Sequence, residues 1–163
     1  MKEFAAPWGL TLRWSSFGLV AFAILISAAT ALLPRGIPAS GAWLAAGSIP
    51  LILLCCLPFV VRSYTIAGDE LLIRRLLWTT RLPLAGLKSA EALPRAMSGS
   101  LRTCGNGGGF SFTGWYWSKA LGSYRAFVTD LNRTVVLRFE KRTVVVSPAE
   151  PEDFVRQLAP QPS

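Results

Sequence analysis

No charged residue stands between Arg13 and Arg35, and none stands between Arg35 and Arg62, so two apolar runs lie back to back near the start of this chain. Each is long enough to cross a hydrocarbon core of about 30 Å as a helix. Residues 15–33 are apolar all round, the pattern of a helix surrounded by lipid and a partner helix. Pro34, Gly36 and Pro38 then force a turn, and residues 41–61 resume the apolar run, interrupted only by Pro50 and Pro58. The sequence therefore predicts a two-helix transmembrane hairpin over residues 15–61, with spans at 15–33 and 41–61. Residues 1–14, with Phe4, Trp8 and Trp14, read as an interfacial lead-in whose aromatics sit at headgroup depth.

A cleaved signal peptide is the rival reading of the first run, because Lys2 and Arg13 precede it and Ala29-Thr30-Ala31 has the small residues of a cleavage site. The run is long for a signal-peptide core, and a second one follows at once, which favours retention in the membrane. Lys2 and Arg13 lie before the pair of runs, Arg62, Arg74 and Arg75 after it, and only Arg35 between. Positively charged flanks stay cytoplasmic, so both termini are expected on the cytoplasmic side of a multi-pass inner-membrane protein.

The composition fits that frame. The chain has 163 residues, is 52% hydrophobic and carries a formal charge of +8 with no histidine. Without histidine there is no Ser-His-Asp or Cys-His nucleophile system and no His-ligated metal site. From Arg62 onward 14 Lys and Arg face 8 Asp and Glu, so the basic surplus belongs to the part that follows the apolar runs. Such a surplus attracts anionic headgroups and nucleic acid alike, and tethering makes the lipid surface the nearer partner, with nucleic acid disfavoured. Cys55 and Cys56 fall in the second run and Cys104 in a glycine-rich stretch, which is no disulfide framework; apolar packing is preferred to palmitoylation for the pair.

Beyond Arg62 the pattern turns to short alternating, β-branched segments. Residues 63–67 and 71–78 flank Gly68-Asp69-Glu70 as a hairpin; 81–84 and 87–93 are weaker strands; 124–129, 134–139 and 143–147 are stronger, separated by polar turn clusters. Within residues 147–158, Pro151 stands at a first helical position, Glu152 and Asp153 follow in the first turn, and Phe154, Val155 and Leu158 lie on one face, which predicts a capping helix. Residues 159–163 read as a tail. The fold class expected is thus an α+β membrane protein: the hairpin, then an antiparallel β-barrel or sandwich over residues 62–158 closed by a helix.

The wording of this second part resembles a bacterial pleckstrin-homology (PH) domain family. The resemblance rests on Tyr64-Thr65-Ile66 leading into Leu71-Leu72-Ile73, on the stretch from Gly105 to Gly109, on Leu121-Gly122-Ser123-Tyr124, and on Val145-Val146-Ser147-Pro148 running into Phe154. It implies a PH-like fold and a binding or assembly module rather than an enzyme, with no cofactor. Phosphoinositide-binding PH domains place basic residues on the first two strands and the turn between them. Here that turn is the acidic Gly68-Asp69-Glu70, with Arg74 and Arg75 following.

Two local features invite a site. Cys104-Gly105-Asn106-Gly107-Gly108-Gly109-Phe110 has the glycines of a phosphate cradle, but lacks the Gly-Lys-Ser/Thr of a P-loop and has Phe110 where a dinucleotide fingerprint needs glycine, so a flexible loop is expected. Trp115, Tyr116 and Trp117 lie between Arg102 and Lys119, with Arg125 beyond, an interleaving of aromatic and basic groups suited to a lipid headgroup face or a docked protein. These six residues are the expected binding site of a non-enzymatic, membrane-anchored module, possessing the means to self-associate through sheet edges. The alternative is an accessory subunit of a larger membrane complex held through the hairpin.

Overall fold

The computed structural model describes residues 2–32 and 39–158. Of the expected linker at 34–40, residues 34–38 lie outside the described residues and Ala39 and Ser40 are helical; the expected tail at 159–163 also lies outside the described residues. Within the expected lead-in, residues 2–5 form a strand, β1 (Lys2–Ala5), antiparallel to β2 (Val61–Ala67) with Phe4 opposite Tyr64. Phe4 is buried in the core, where its ring meets Phe154 edge-on at 5.1 Å, while Trp8 and Trp14 are exposed. Gly9 then passes so close to Asp130 that a Cβ would stand 2.6 Å from the carboxylate oxygen, which only glycine permits.

Two helices follow, α1 (Leu10–Ala31) and α2 (Ala39–Cys56), in contact with each other; a 3-10 turn at Leu57–Phe59 ends the second. The expected pair of spans is corrected in one respect. Among the described residues one helix, Leu10–Thr30, is long and apolar enough to cross a membrane, while the second apolar helical stretch, Pro50–Phe59, is shorter. Its tighter 3-10 end and the start of β2 at Val61 take up residues that the apolar run had assigned to a span.

The remaining strands are β3 (Glu70–Arg75), β4 (Thr79–Pro83), β5 (Leu87–Ala92), β6 (Leu101–Gly107), β7 (Phe112–Ser118), β8 (Gly122–Val128), β9 (Val135–Phe139) and β10 (Thr143–Val146), followed by α3 (Pro151–Leu158). They form two separate sheets, β1-β2-β3-β4 and β5-β9-β10-β8-β7-β6, so the domain is a sandwich and not a closed barrel. Nor is it wholly antiparallel. β8 and β10 run parallel, because the chain leaves β8, adds β9 and returns between them.

Alternation explains which residues meet. Val135, Leu137 and Phe139 of β9 and Val144 and Val146 of β10 face Tyr64, Leu71, Ile73 and Leu82 of the smaller sheet, and Phe154 of α3 closes the gap between them. Val136, Val145, Tyr124 and Ala126 point to the opposite face, where Met97 and Leu121 cover them in a second core. Tyr64 bolts the sheets together. Its hydroxyl donates to the Phe127 carbonyl at 2.6 Å and accepts the Ser147 N–H at 3.2 Å.

Candidate functional site

The glycine-rich stretch is part strand and part turn: Gly105 and Gly107 lie in β6, and residues 108–110 form the turn that follows. Gly105 on β6 lies opposite Gly114 on β7, and a Cβ on Gly114 would come within 2.2 Å of the Cys104 carbonyl oxygen, so two bare backbones cross where side chains could not. The turn beyond is fastened to α1: Ser15 donates to the Gly108 carbonyl at 2.8 Å, and Ser16 accepts the Phe110 N–H at 3.0 Å. The glycines thus serve close packing against a helix, and their amides are spent on the protein itself.

The six residues expected to form one site are divided by the pleat. Trp115 and Trp117 project from β7 and are 47% and 42% exposed, and Arg125 on β8 stands opposite Trp115, so these three share a face. Tyr116 points the other way and is buried, its hydroxyl donating to the Asn106 carbonyl at 2.8 Å. Burial pushes its phenol up to about 12, against the opposing influence of Arg102. Arg102 pairs with Tyr116 in register and lines a cavity of about 390 Å³ with Met97 and Phe112 on that second face. Lys119 is exposed in the turn after β7. Tyr116 is therefore removed from a surface site, because alternate residues of a strand cannot share a face.

A different basic site lies on the smaller sheet. An open cavity of about 860 Å³ is lined by Arg62, Arg74, Arg75 and Arg81, by the turn Leu76-Leu77-Trp78, and by Glu3. A bulge between Val61 and Ser63 places Arg62 there, and the end of β3 supplies Arg74 outward and Arg75 inward. The β3–β4 turn is tied to the exit of α2, since the Leu76 N–H donates to the Val60 carbonyl at 3.1 Å and Trp78 meets Phe59 edge-on at 5.2 Å.

Arg75 is the unusual member. It is only 7% exposed, and its guanidinium lies 5.7 Å from the Phe59 ring, 5.5 Å from Trp78 and 5.0 Å from Phe127. Its Nε has no hydrogen-bond partner. The ion pairs among the described residues use Lys2, Arg81, Lys88, Arg133 and Arg156, and none of Arg62, Arg74 or Arg75. Burial, with repulsion from Arg125 behind it, lowers its pKa to about 10. The one acid of the cavity is engaged, because the Glu3 carboxylate accepts the Ser63 hydroxyl at 2.6 Å. Sequence reading noted Arg74 and Arg75 beside the acidic turn but passed over the three large apolar residues, Leu76, Leu77 and Trp78, that follow them at once in a turn too short to bury them.

Comparison with known families is decisive for class: a model described as Bacterial PH domain matches residues 62–161. The chain belongs to the bacterial PH-domain family. No curated protein and no solved structure matches it. The PH domain is thus the two-sheet sandwich with its closing α3, to which this chain adds β1 as a fourth strand of the smaller sheet and inserts α1 and α2 between β1 and β2. PH domains are in general binding or assembly modules and not catalysts, and among the described residues no three His, Cys, Asp or Glu side chains gather as metal ligands.

Proposed function

We propose that this protein is a membrane-anchored binding module whose PH domain is held at the cytoplasmic face of the inner membrane, where it contacts lipid headgroups or a protein partner without catalysing a reaction. The observation that carries this reading is the surface of α1. Leu10, Trp14, Phe17, Phe22, Ile24 and Leu25 are each at least 53% exposed, along the side of the helix that faces away from the buried Leu12, Ser16 and Ala23. Apolar surface of that extent on a helix calls for lipid or a partner helix. Because β1 pairs with β2, the residues before α1 and after α2 lie together, so β1 and the PH domain stand on the same side of whatever surface α1 enters. The flanking arginines and Lys2 make that side the cytoplasm.

On this reading the membrane-proximal surface includes Phe59, Leu76, Leu77 and Trp78, together with Trp115, Trp117 and Arg125 where the larger sheet extends past the smaller. Alkaline carbonate extraction of membranes tests the anchor: the full chain should stay in the pellet, and recovery in the supernatant would refute it. For orientation, a Ser163→Cys variant lacking Cys55, Cys56 and Cys104 should resist a membrane-impermeant thiol reagent until cells are lysed. A stoichiometric partner that co-purifies through the helices in mild detergent would instead favour the accessory-subunit reading.

A further inference from the structure

Arg75 is the only basic side chain among the described residues that is buried, and it is buried without a counter-ion. An ion taken from water is strongly destabilising unless other groups neutralise and hydrogen-bond it. The rings of Phe59, Trp78 and Phe127 offset part of the charge, but aromatic faces do not replace the missing partner at Nε. Around it the cavity gathers Arg62 and Arg74, with Arg81 at 4.0 Å from Glu70, and the one carboxylate lining it is that of Glu3, which accepts the Ser63 hydroxyl. Arg125 adds positive charge from behind. The cavity therefore carries more positive than negative charge, and Arg75 within it has no acceptor at Nε.

We infer that this cavity is a phosphate-binding site, in which Arg62, Arg74 and Arg75 take a phosphate mono- or diester and Leu76, Leu77 and Trp78 form an apolar rim for whatever carries it. The planar forks of guanidinium groups match the oxygens of phosphate, and a ligand with several such oxygens answers several arginines at once. A cavity of about 860 Å³ has room for a headgroup-sized molecule. It opens at the end of the β2–β3 hairpin remote from Gly68-Asp69, so the acidic turn does not oppose it. The inference rests on the proposed membrane anchoring only for the carrier: the same chemistry is offered by an anionic phospholipid and by a soluble phosphate ester.

The test is thermal melting of the full chain in two arms. In neutral detergent, sodium pyrophosphate is titrated at constant ionic strength; in nanodiscs, phosphatidylcholine alone is compared with phosphatidylcholine plus phosphatidylglycerol. A response is expected as a rise in Tm of about 5 °C near saturation, lost in Arg62→Gln, Arg74→Gln and Arg75→Gln and kept in Lys141→Gln, an exposed site away from the cavity. Arg62 and Arg74 are exposed, so their variants carry the test should Arg75→Gln misfold. A rise with pyrophosphate assigns a soluble ester, and a rise only in phosphatidylglycerol discs assigns a lipid headgroup; either upholds the site. No rise in either arm, or a rise that survives both Arg62→Gln and Arg74→Gln, overturns it. Since the pyrophosphate arm needs no bilayer, its result stands apart from the outcome of carbonate extraction.

Discussion

α1 and α3 both bring apolar side chains to the same β-sandwich, and they dispose of them in opposite ways. α3 is short and two-faced: Phe154 is fully buried between the sheets, Val155 and Leu158 pack beside it, and Glu152, Arg156 and Gln157 face water. α1 touches the sandwich only through its first turns, where Leu12 and Ser16 are buried, and beyond Ala23 its apolar side chains have little of the protein to cover them. The contrast separates two uses of hydrophobic surface. In α3 burial within the chain holds the domain closed; in α1 the apolar surface is left unburied by the described residues, and on the proposed reading it is the means of reaching something outside the chain.

The largest effect should come from breaking the first use. Phe154→Ala removes a fully buried ring that meets both Phe4 and Tyr64, and the expected loss is about 3 to 5 kcal/mol, read as a large fall in Tm or in denaturant midpoint. A loss below about 1 kcal/mol would mean that α3 does not close the core. Next in size is Gly114→Ala, which touches the strand pair whose turn clamps α1. Gly114 has φ +144° and no room for a Cβ, so the strands must separate, at about 2 kcal/mol or more. The same variant should loosen the grip of Ser15 and Ser16 on the Gly108–Phe110 turn, visible as faster amide exchange there.

These two sites also mark how far the sequence could be read. Phe154 was legible because Pro151, two acids and an apolar face make a local pattern that needs no knowledge of the rest of the fold. The alternation of Val135, Leu137 and Phe139 was legible for the same reason. Gly105 was misread as part of a loop: its purpose appears only once Gly114 is opposite it, and a strand pairing is not written in either segment alone. β1 escaped notice likewise, since four residues carry too little periodicity and its partner lies about sixty positions away. Arg75 was counted as a flanking charge, because its burial depends on Phe59, Trp78 and Phe127 converging from three parts of the chain.

A smaller effect sharpens the closed side of the comparison through Tyr64, whose ring packs against Phe154 and whose hydroxyl ties the sheets at Phe127 and Ser147. Tyr64→Phe should cost about 1 to 2 kcal/mol at neutral pH, because the Phe127 carbonyl is left without its donor. Burial raises the Tyr64 phenol from 10.0 to about 12. The folded state therefore holds this proton more tightly than the unfolded one, and the stabilisation is complete below pH 10 and lost as the pH climbs through 12. The gap between wild type and Tyr64→Phe should accordingly narrow over that window in denaturant titrations. A gap that widened would show that the hydroxyl is not buried as a donor.

The smallest effect on folding, and the most telling for the open side, is expected on α1. Phe22 is 53% exposed and Leu25 is 65% exposed, on a helix whose contact with the sandwich is near its start. In neutral detergent, Phe22→Ser and Leu25→Ser should shift the melting of the PH domain by no more than about 0.5 kcal/mol, the range of surface substitutions. Leu12→Ser, a buried position on the same helix, is the internal control and should cost several times more, since it places a hydroxyl where apolar packing was. If the exposed side chains face lipid, replacing both Phe22 and Leu25 with Arg should release protein from the membrane pellet while leaving that melt unchanged, because a charge near a bilayer centre costs about 2.5 to 3.5 kcal/mol on insertion scales. Equal melting losses at Phe22 and Leu12 would mean that α1 is covered by another part of the protein after all, and the distinction between the two helices would fall with it.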